Sequence, residues 1–131
     1  MRALDTNLLV RYFTTDETRQ VAIVDQFLSE CRDNHERVFI SVPVICELTW
    51  VLVSSHRFAK AEIADALKVM LDQPLFHVEK EPLVRRALDS YRDGRGGLAD
   101  YLIGELAADA GCRDTVTFDK RLKGSPGFTI L

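Results

Sequence analysis

The stretch Met1-Arg2-Ala3-Leu4-Asp5-Thr6-Asn7-Leu8-Leu9-Val10-Arg11-Tyr12-Phe13 decides how the rest of the chain is read. An apolar stub of about four residues at its start reads as a buried strand. Asp5 then stands at the carboxyl edge of that strand, and Thr6 and Asn7 turn the chain into a short helix. In open α/β sheets, sites form in the crevice beyond the carboxyl ends of the strands. Asp5 is therefore the first candidate for chemistry, against the plainer reading that Asp5 or Asn7 only caps the next helix. The choice turns on whether other acids reach the same edge.

Working outward, Thr14-x-x-Glu17 has the spacing of a capping box. Val21, Val24, Phe27, Leu28 and Cys31 then recur at helical spacing, which predicts a helix over about 16–33. Val38-Phe39-Ile40-Ser41 reads as a second strand by its β-branched and aromatic content. Pro43 suits the first turn of a helix that continues to about Ser55. A further helix follows at about 60–72, then a strand at Leu75-Phe76-His77-Val78 and a helix opened by Pro82. The glycine-rich loop 93–97 precedes a helix at 98–110, which Gly111 is suited to stop. Thr115-Val116-Thr117-Phe118 is a fourth strand, 120–127 a loop, and Phe128-Thr129-Ile130-Leu131 a fifth, edge strand. Strands alternating with helices imply βαβ units with right-handed crossovers. The expectation is a single domain over 1–131, a three-layer α/β/α sandwich around a mostly parallel sheet of four to five strands.

Composition narrows the function classes. With 131 residues the chain can bury a sizeable core, and 47% hydrophobic with 28% charged residues is ordinary for a soluble domain. No basic segment followed by an apolar one marks a signal peptide, and the apolar run 38–53 is too short and broken to span a bilayer. Cys31, Cys46 and Cys112 stand far apart and read as reduced, mostly buried thiols of a cytoplasmic protein. The three histidines show no zinc spacing. A net charge of −3 argues against binding nucleic acid through a broad cationic face. It leaves room for an enzyme that meets nucleic acid through a bound cation and a local basic rim. Arg85, Arg86, Arg92 and Arg95, and then Lys120, Arg121 and Lys123, are basic clusters whose plain reading is a solvated helix face.

Three more acids share the logic of Asp5. Glu47 is the one charged residue between Val38 and Ser55 and lies a turn into its helix. Asp100 is in the first turn of the helix after Gly96-Gly97, where the helix dipole by itself would favour an acid. Asp119 ends the strand Thr-Val-Thr-Phe, as Asp5 ends the first strand, though a turn-forming Asp would look the same. Carboxylates converging on one crevice repel unless a cation is present. Oxygen-only ligands favour Mg²⁺ or Mn²⁺, which suit phosphodiester hydrolysis.

Leu4-Asp5-Thr6-Asn7 with the following Leu-Leu-Val-Arg-Tyr-Phe, and Glu47 within Val-Ile-Cys-Glu-Leu-Thr-Trp-Val-Leu, resemble a PIN domain. Leu98-Ala99-Asp100-Tyr101-Leu102-Ile103 followed by Ala110-Gly111-Cys112, and Thr117-Phe118-Asp119-Lys120, resemble the later motifs of that family. The resemblance runs end to end, at the short length of VapC-type toxins of toxin–antitoxin pairs. It implies a Mg²⁺-dependent (or Mn²⁺-dependent) endoribonuclease acting on RNA, inhibited by a VapB-type antitoxin and usually a homodimer. It also implies an acidic catalytic site of Asp5, Glu47, Asp100 and Asp119. Asp5, Asp100 and Asp119 would hold the metal, with Thr6, Asn7 and Thr117 in support. A PIN domain acting in RNA processing without an antitoxin is the near alternative. A receiver-type phosphoacceptor module is the distant one. Asp5 lacks the acidic neighbour such a module needs, the third strand runs into Val78-Glu79, and no Lys-Pro pair exists. The second helix, the third with Trp50 and the fourth with Phe58 carry more apolar residues than one small sheet face needs, which points to a partner surface.

Overall fold

The computed structural model describes all of residues 1–131 and contains two compact units, 1–81 and 82–131. In the first, β1 (Arg2–Ala3), β2 (Val38–Ile40) and β3 (Phe76–Val78) form a parallel sheet in the order β1-β2-β3. Ala3 pairs with Phe39, and Ile40 with Val78. Parallel neighbours need long crossovers. Helices α1 (Thr6–Phe13) and α2 (Thr18–Asp33) supply the first, and α3 (Val42–Ser54) and α4 (Lys60–Leu71) the second. Val38 and Ile40 are fully buried and alternate with half-buried Phe39, as the two-residue period of a strand requires. Leu9, Ile45, Leu48, Leu52, Ile63, Leu67 and Met70 are among the other side chains buried in this core.

The first strand differs from its expectation as a buried element. β1 has two residues and both are exposed, because β1 is an end strand of its sheet. Burial starts at Leu4, whose amide continues the ladder to the Phe39 carbonyl at 3.0 Å. Thr14-x-x-Glu17 forms no capping box either. Buried Thr14 ends α1 by donating its hydroxyl to the Val10 carbonyl at 2.9 Å, and α2 begins at Thr18 without a side-chain cap. The N-terminus of α3 is instead satisfied from another element, since the Val42 amide donates to Glu79 Oε1 at 2.9 Å.

The second unit comprises α5 (Glu81–Asp93, whose first residue belongs to the first unit), α6 (Leu98–Asp109), β4 (Thr115–Thr117), a 3₁₀ turn (Lys120–Leu122) and β5 (Phe128–Ile130). β4 and β5 pair in parallel, with Thr117 opposite Ile130. Leu83, Val84, Ala87, Leu88, Tyr91, Leu98, Tyr101, Leu102 and Leu122 form its core. Gly104 lets α6 meet β5. A Cβ there would stand 2.8 Å from the Phe128 ring, which in turn meets the Tyr101 ring edge-on. Gly111 at φ 90° ends α6 as its sequence position predicts.

The architecture is α/β with every strand pairing parallel, as expected. The five strands pair as a ladder of three and a ladder of two, where the sequence suggested one sheet of four to five. Strands of two or three residues carry few ladder hydrogen bonds, so helix packing supplies most of each unit's burial. The cysteines also differ from their reading as mostly buried: Cys31 is buried, Cys46 half-buried and Cys112 exposed. No helix is long and apolar enough to cross a membrane.

Candidate active site

In the first unit, Asp5 has extended backbone at φ −84° and ψ 162°, and its Oδ1 accepts the Thr6 amide at 2.8 Å. The capping role is therefore real, and it occupies one carboxylate oxygen. Thr6 is buried, and its hydroxyl donates to Glu47 Oε1 at 2.7 Å. A single residue thus ties two acids that lie far apart in sequence: its amide holds Asp5 and its hydroxyl holds Glu47. α3 buries Ile45, Leu48, Thr49 and Leu52, which leaves Glu47 on the exposed flank with Trp50 and Val53. This explains how a carboxylate persists in so apolar a helix without the cost of burial.

A cleft of about 420 Å³ is lined by Asp5, Thr6, Asn7 and Glu47, together with Val10, Arg11, Val51, Ser55 and His56. Asp16 stands 3.4 Å from Arg11 Nη1 and 3.3 Å from His56 Nε2, while His56 Nδ1 is buried without a hydrogen-bond partner. Arg11 lies within the quoted stretch 1–13 but drew no role there, and His56 lies in no recognisable motif.

In the second unit, Asp100 sits in the first turn of α6 and its Oδ2 accepts the Gly97 amide at 2.8 Å. Asp119 follows β4 and caps the 3₁₀ turn, its Oδ1 accepting the Arg121 amide at 3.0 Å. Thr117 shapes this turn by accepting the Asp119 amide at 3.0 Å. The Arg121 side chain then folds over the acids. Its Nε lies 3.0 Å from both Asp119 oxygens, and its Nη2 lies 2.5 Å from Asp119 Oδ2 and 3.4 Å from Asp100 Oδ2. The guanidinium, and then the Arg121 backbone amide, hold the Asp119 carboxyl below the usual range, outweighing a desolvation effect of opposite sign. Arg121 read from sequence as part of a solvated basic cluster. The available signal was its position two residues beyond an acid that ends a strand, where a tight turn lets a side chain fold back.

The structure thus brings Asp5 beside Glu47 and Asp100 beside Asp119. In neither unit do three or more His, Cys, Asp or Glu side chains gather into a ready metal-ligand cluster. The donors that each pair offers are carboxylate oxygens, which suit a hard divalent cation. The guanidinium lodged between Asp100 and Asp119 marks a place where the chain itself puts positive charge. In donor chemistry, though not in ligand number within either unit, the residues present fit Mg²⁺ or Mn²⁺.

The profile of the PIN domain family matches residues 2–125. This chain belongs to the PIN domain family. The match includes all four acids together with Thr6, Asn7, Thr117 and Arg121. It leaves the receiver-module reading without support. The chain is also 29% identical over 123 residues to a VapC ribonuclease of Aquifex aeolicus (strain VF5), a similarity covering 94% of this chain and 90% of the relative. The family match spans both compact units of this PIN chain.

Proposed function

We propose that this PIN protein is a Mg²⁺- or Mn²⁺-dependent endoribonuclease hydrolysing RNA phosphodiester bonds, and the toxin of a VapBC-type pair. The observation that carries the reading is the near full-length similarity to a VapC ribonuclease, with Asp5, Glu47, Asp100 and Asp119 all inside the matched family region. The whole chain is taken as one nuclease domain, and these four acids as its catalytic carboxylates.

Each residue's contribution follows from its contacts. Thr6 fixes Glu47 by a hydrogen bond, so that one Glu47 oxygen stays oriented while the other can accept a proton from an attacking water. Asp5 keeps its second oxygen for a cation while the first caps α1. Asp100 does the same on α6, where the Gly97 amide engages only Oδ2 from the backbone. Asp119, the acid with most bonds to one partner, carries its charge to lower pH than an ordinary carboxylate. Bound Mg²⁺ or Mn²⁺ would supply charge neutralisation at the phosphodiester and lower the pKa of a bound water.

The partner reading rests on exposed apolar side chains. Trp50 is 68% exposed, with Val53 on the same helix and Ile23 on α2 also exposed. These suit a two-fold homodimer and an amphipathic antitoxin segment that folds on binding. A cytoplasmic location goes with a toxin acting on RNA.

The test is cleavage of structured RNA by purified protein with Mg²⁺, with Mn²⁺ and with EDTA. Cleavage with either metal, abolished by chelator, is the expected result. Full cleavage in EDTA by a contaminant-free preparation would overturn the metal dependence. Co-purification with the product of a neighbouring gene separates the toxin from a PIN protein of RNA processing.

A further inference from the structure

We infer that the Arg121 side chain is a displaceable internal counter-ion of Asp100 and Asp119, one that a divalent cation must dislodge before it can use these acids. The inference rests on the metal-dependent reading above and adds to it a competitor built into the chain.

The geometry is specific. Both Asp119 oxygens face Arg121, and the guanidinium reaches the one Asp100 oxygen that also accepts the Gly97 amide. A cation taking Asp119 as ligand needs the lone pairs on which the guanidinium now sits. Arg121 can leave without dismantling its turn, because the backbone bond from its amide to Asp119 Oδ1 is separate from the side-chain bonds. The side chain is 54% exposed, so solvent receives it when it swings away.

Charge decides which cation wins. One guanidinium leaves the two carboxylates with a net negative charge, and a dication removes it. At low metal the closed arrangement relieves repulsion between the acids. At higher metal the dication prevails, and the released guanidinium is left at the rim. The exposed setting keeps the ion pair modest in strength, so the competition stays reversible.

The consequence is a lowered apparent affinity for metal, since only molecules with Arg121 turned away are competent to bind. A closed arrangement populated to about four-fifths lowers the apparent affinity about fivefold.

The experiment is calorimetric titration of Mn²⁺ into the full chain at pH 7 without RNA, comparing the natural protein with Arg121→Gln and Lys123→Gln. Lys123 is exposed and lies two residues further on, so its substitution removes the same charge without uncovering the acids. Arg121→Gln is expected to bind Mn²⁺ about fivefold more tightly, and Lys123→Gln to stay within about twofold of the natural protein. Equal or weaker binding by Arg121→Gln overturns the inference and leaves the metal-dependent reading standing, as does equal tightening by both variants. Absence of Mn²⁺ binding in all three proteins overturns both.

Discussion

The two acid pairs are held by opposite means. Asp5 and Glu47 are positioned by one buried neutral residue, Thr6, through its amide and its hydroxyl. Asp100 and Asp119 are joined by the positive charge of Arg121. A neutral donor fixes orientation and leaves the carboxylate charge uncompensated. A guanidinium fixes orientation and removes part of that charge. The first pair is therefore set by packing around Thr6, and the second by an ion pair that salt and competing cations weaken.

The strongest way to break this contrast is to remove one charge from each pair. Asp5→Asn and Asp100→Asn keep shape and capping ability, and each should lower RNA cleavage by orders of magnitude. Without metal, the thermal midpoint should stay level or rise in Asp5→Asn, where repulsion is relieved. In Asp100→Asn the loss of an exposed ion pair should nearly offset that gain. Cleavage rates and thermal melts check both, and a large stability loss with activity retained would reduce these acids to helix caps.

Thr6→Val sharpens the packing side of the contrast. It deletes the hydroxyl that orients Glu47 while preserving size. The expected effects are a cleavage rate lowered roughly tenfold and a stability loss of about 1 kcal/mol by urea unfolding. The equivalent change at the hydroxyl beside Asp119, Thr117→Val, should leave Arg121 on its carboxylate and cost less activity.

The charged side shows in pH dependence. Because the Asp119 carboxyl is depressed in the folded chain, its stabilisation is fully present above the ordinary carboxyl range and lost as pH falls through the depressed value. Arg121→Gln should move the Asp119 titration upward toward the ordinary value. The variant's stability deficit should then vanish in acid. Carboxyl-carbon NMR titration and urea midpoints across pH 2–7 read both, and an unmoved Asp119 titration would contradict the assigned contact.

The smallest expected effect on stability comes from a residue in neither pair. Trp50→Ser should change monomer stability by no more than about 0.5 kcal/mol, yet shift the mass measured in solution toward the monomer. An unchanged dimer would move the proposed interface away from α3.

Much of the molecule was legible from local pattern, because the deciding interactions lie within a few residues. The helix starts beside Pro43 and Pro82, the stop at Gly111 and the strands around Val38, Phe76 and Thr115 follow from side-chain shape and backbone freedom. The acids Asp5 and Asp119 were visible for the same reason, each ending an apolar run. Patterns could not show how a local signal is used when a distant group competes for it. Thr14 resembled a helix start and instead closes α1, because its hydroxyl finds the Val10 carbonyl first. Glu79 had no motif, yet it caps α3 from 37 residues away because β3 ends beside that helix. Thr6 was expected only to support, and whether its hydroxyl meets Glu47 depends on α1 packing against α3. Arg121 looked like one more solvated charge until the turn after β4 folded it back onto two acids. The sequence by itself determined which segments become strands and helices and which acids end them. The tertiary structure alone decided which groups those acids meet, because hydrogen bonds and ion pairs form by distance in space and not along the chain.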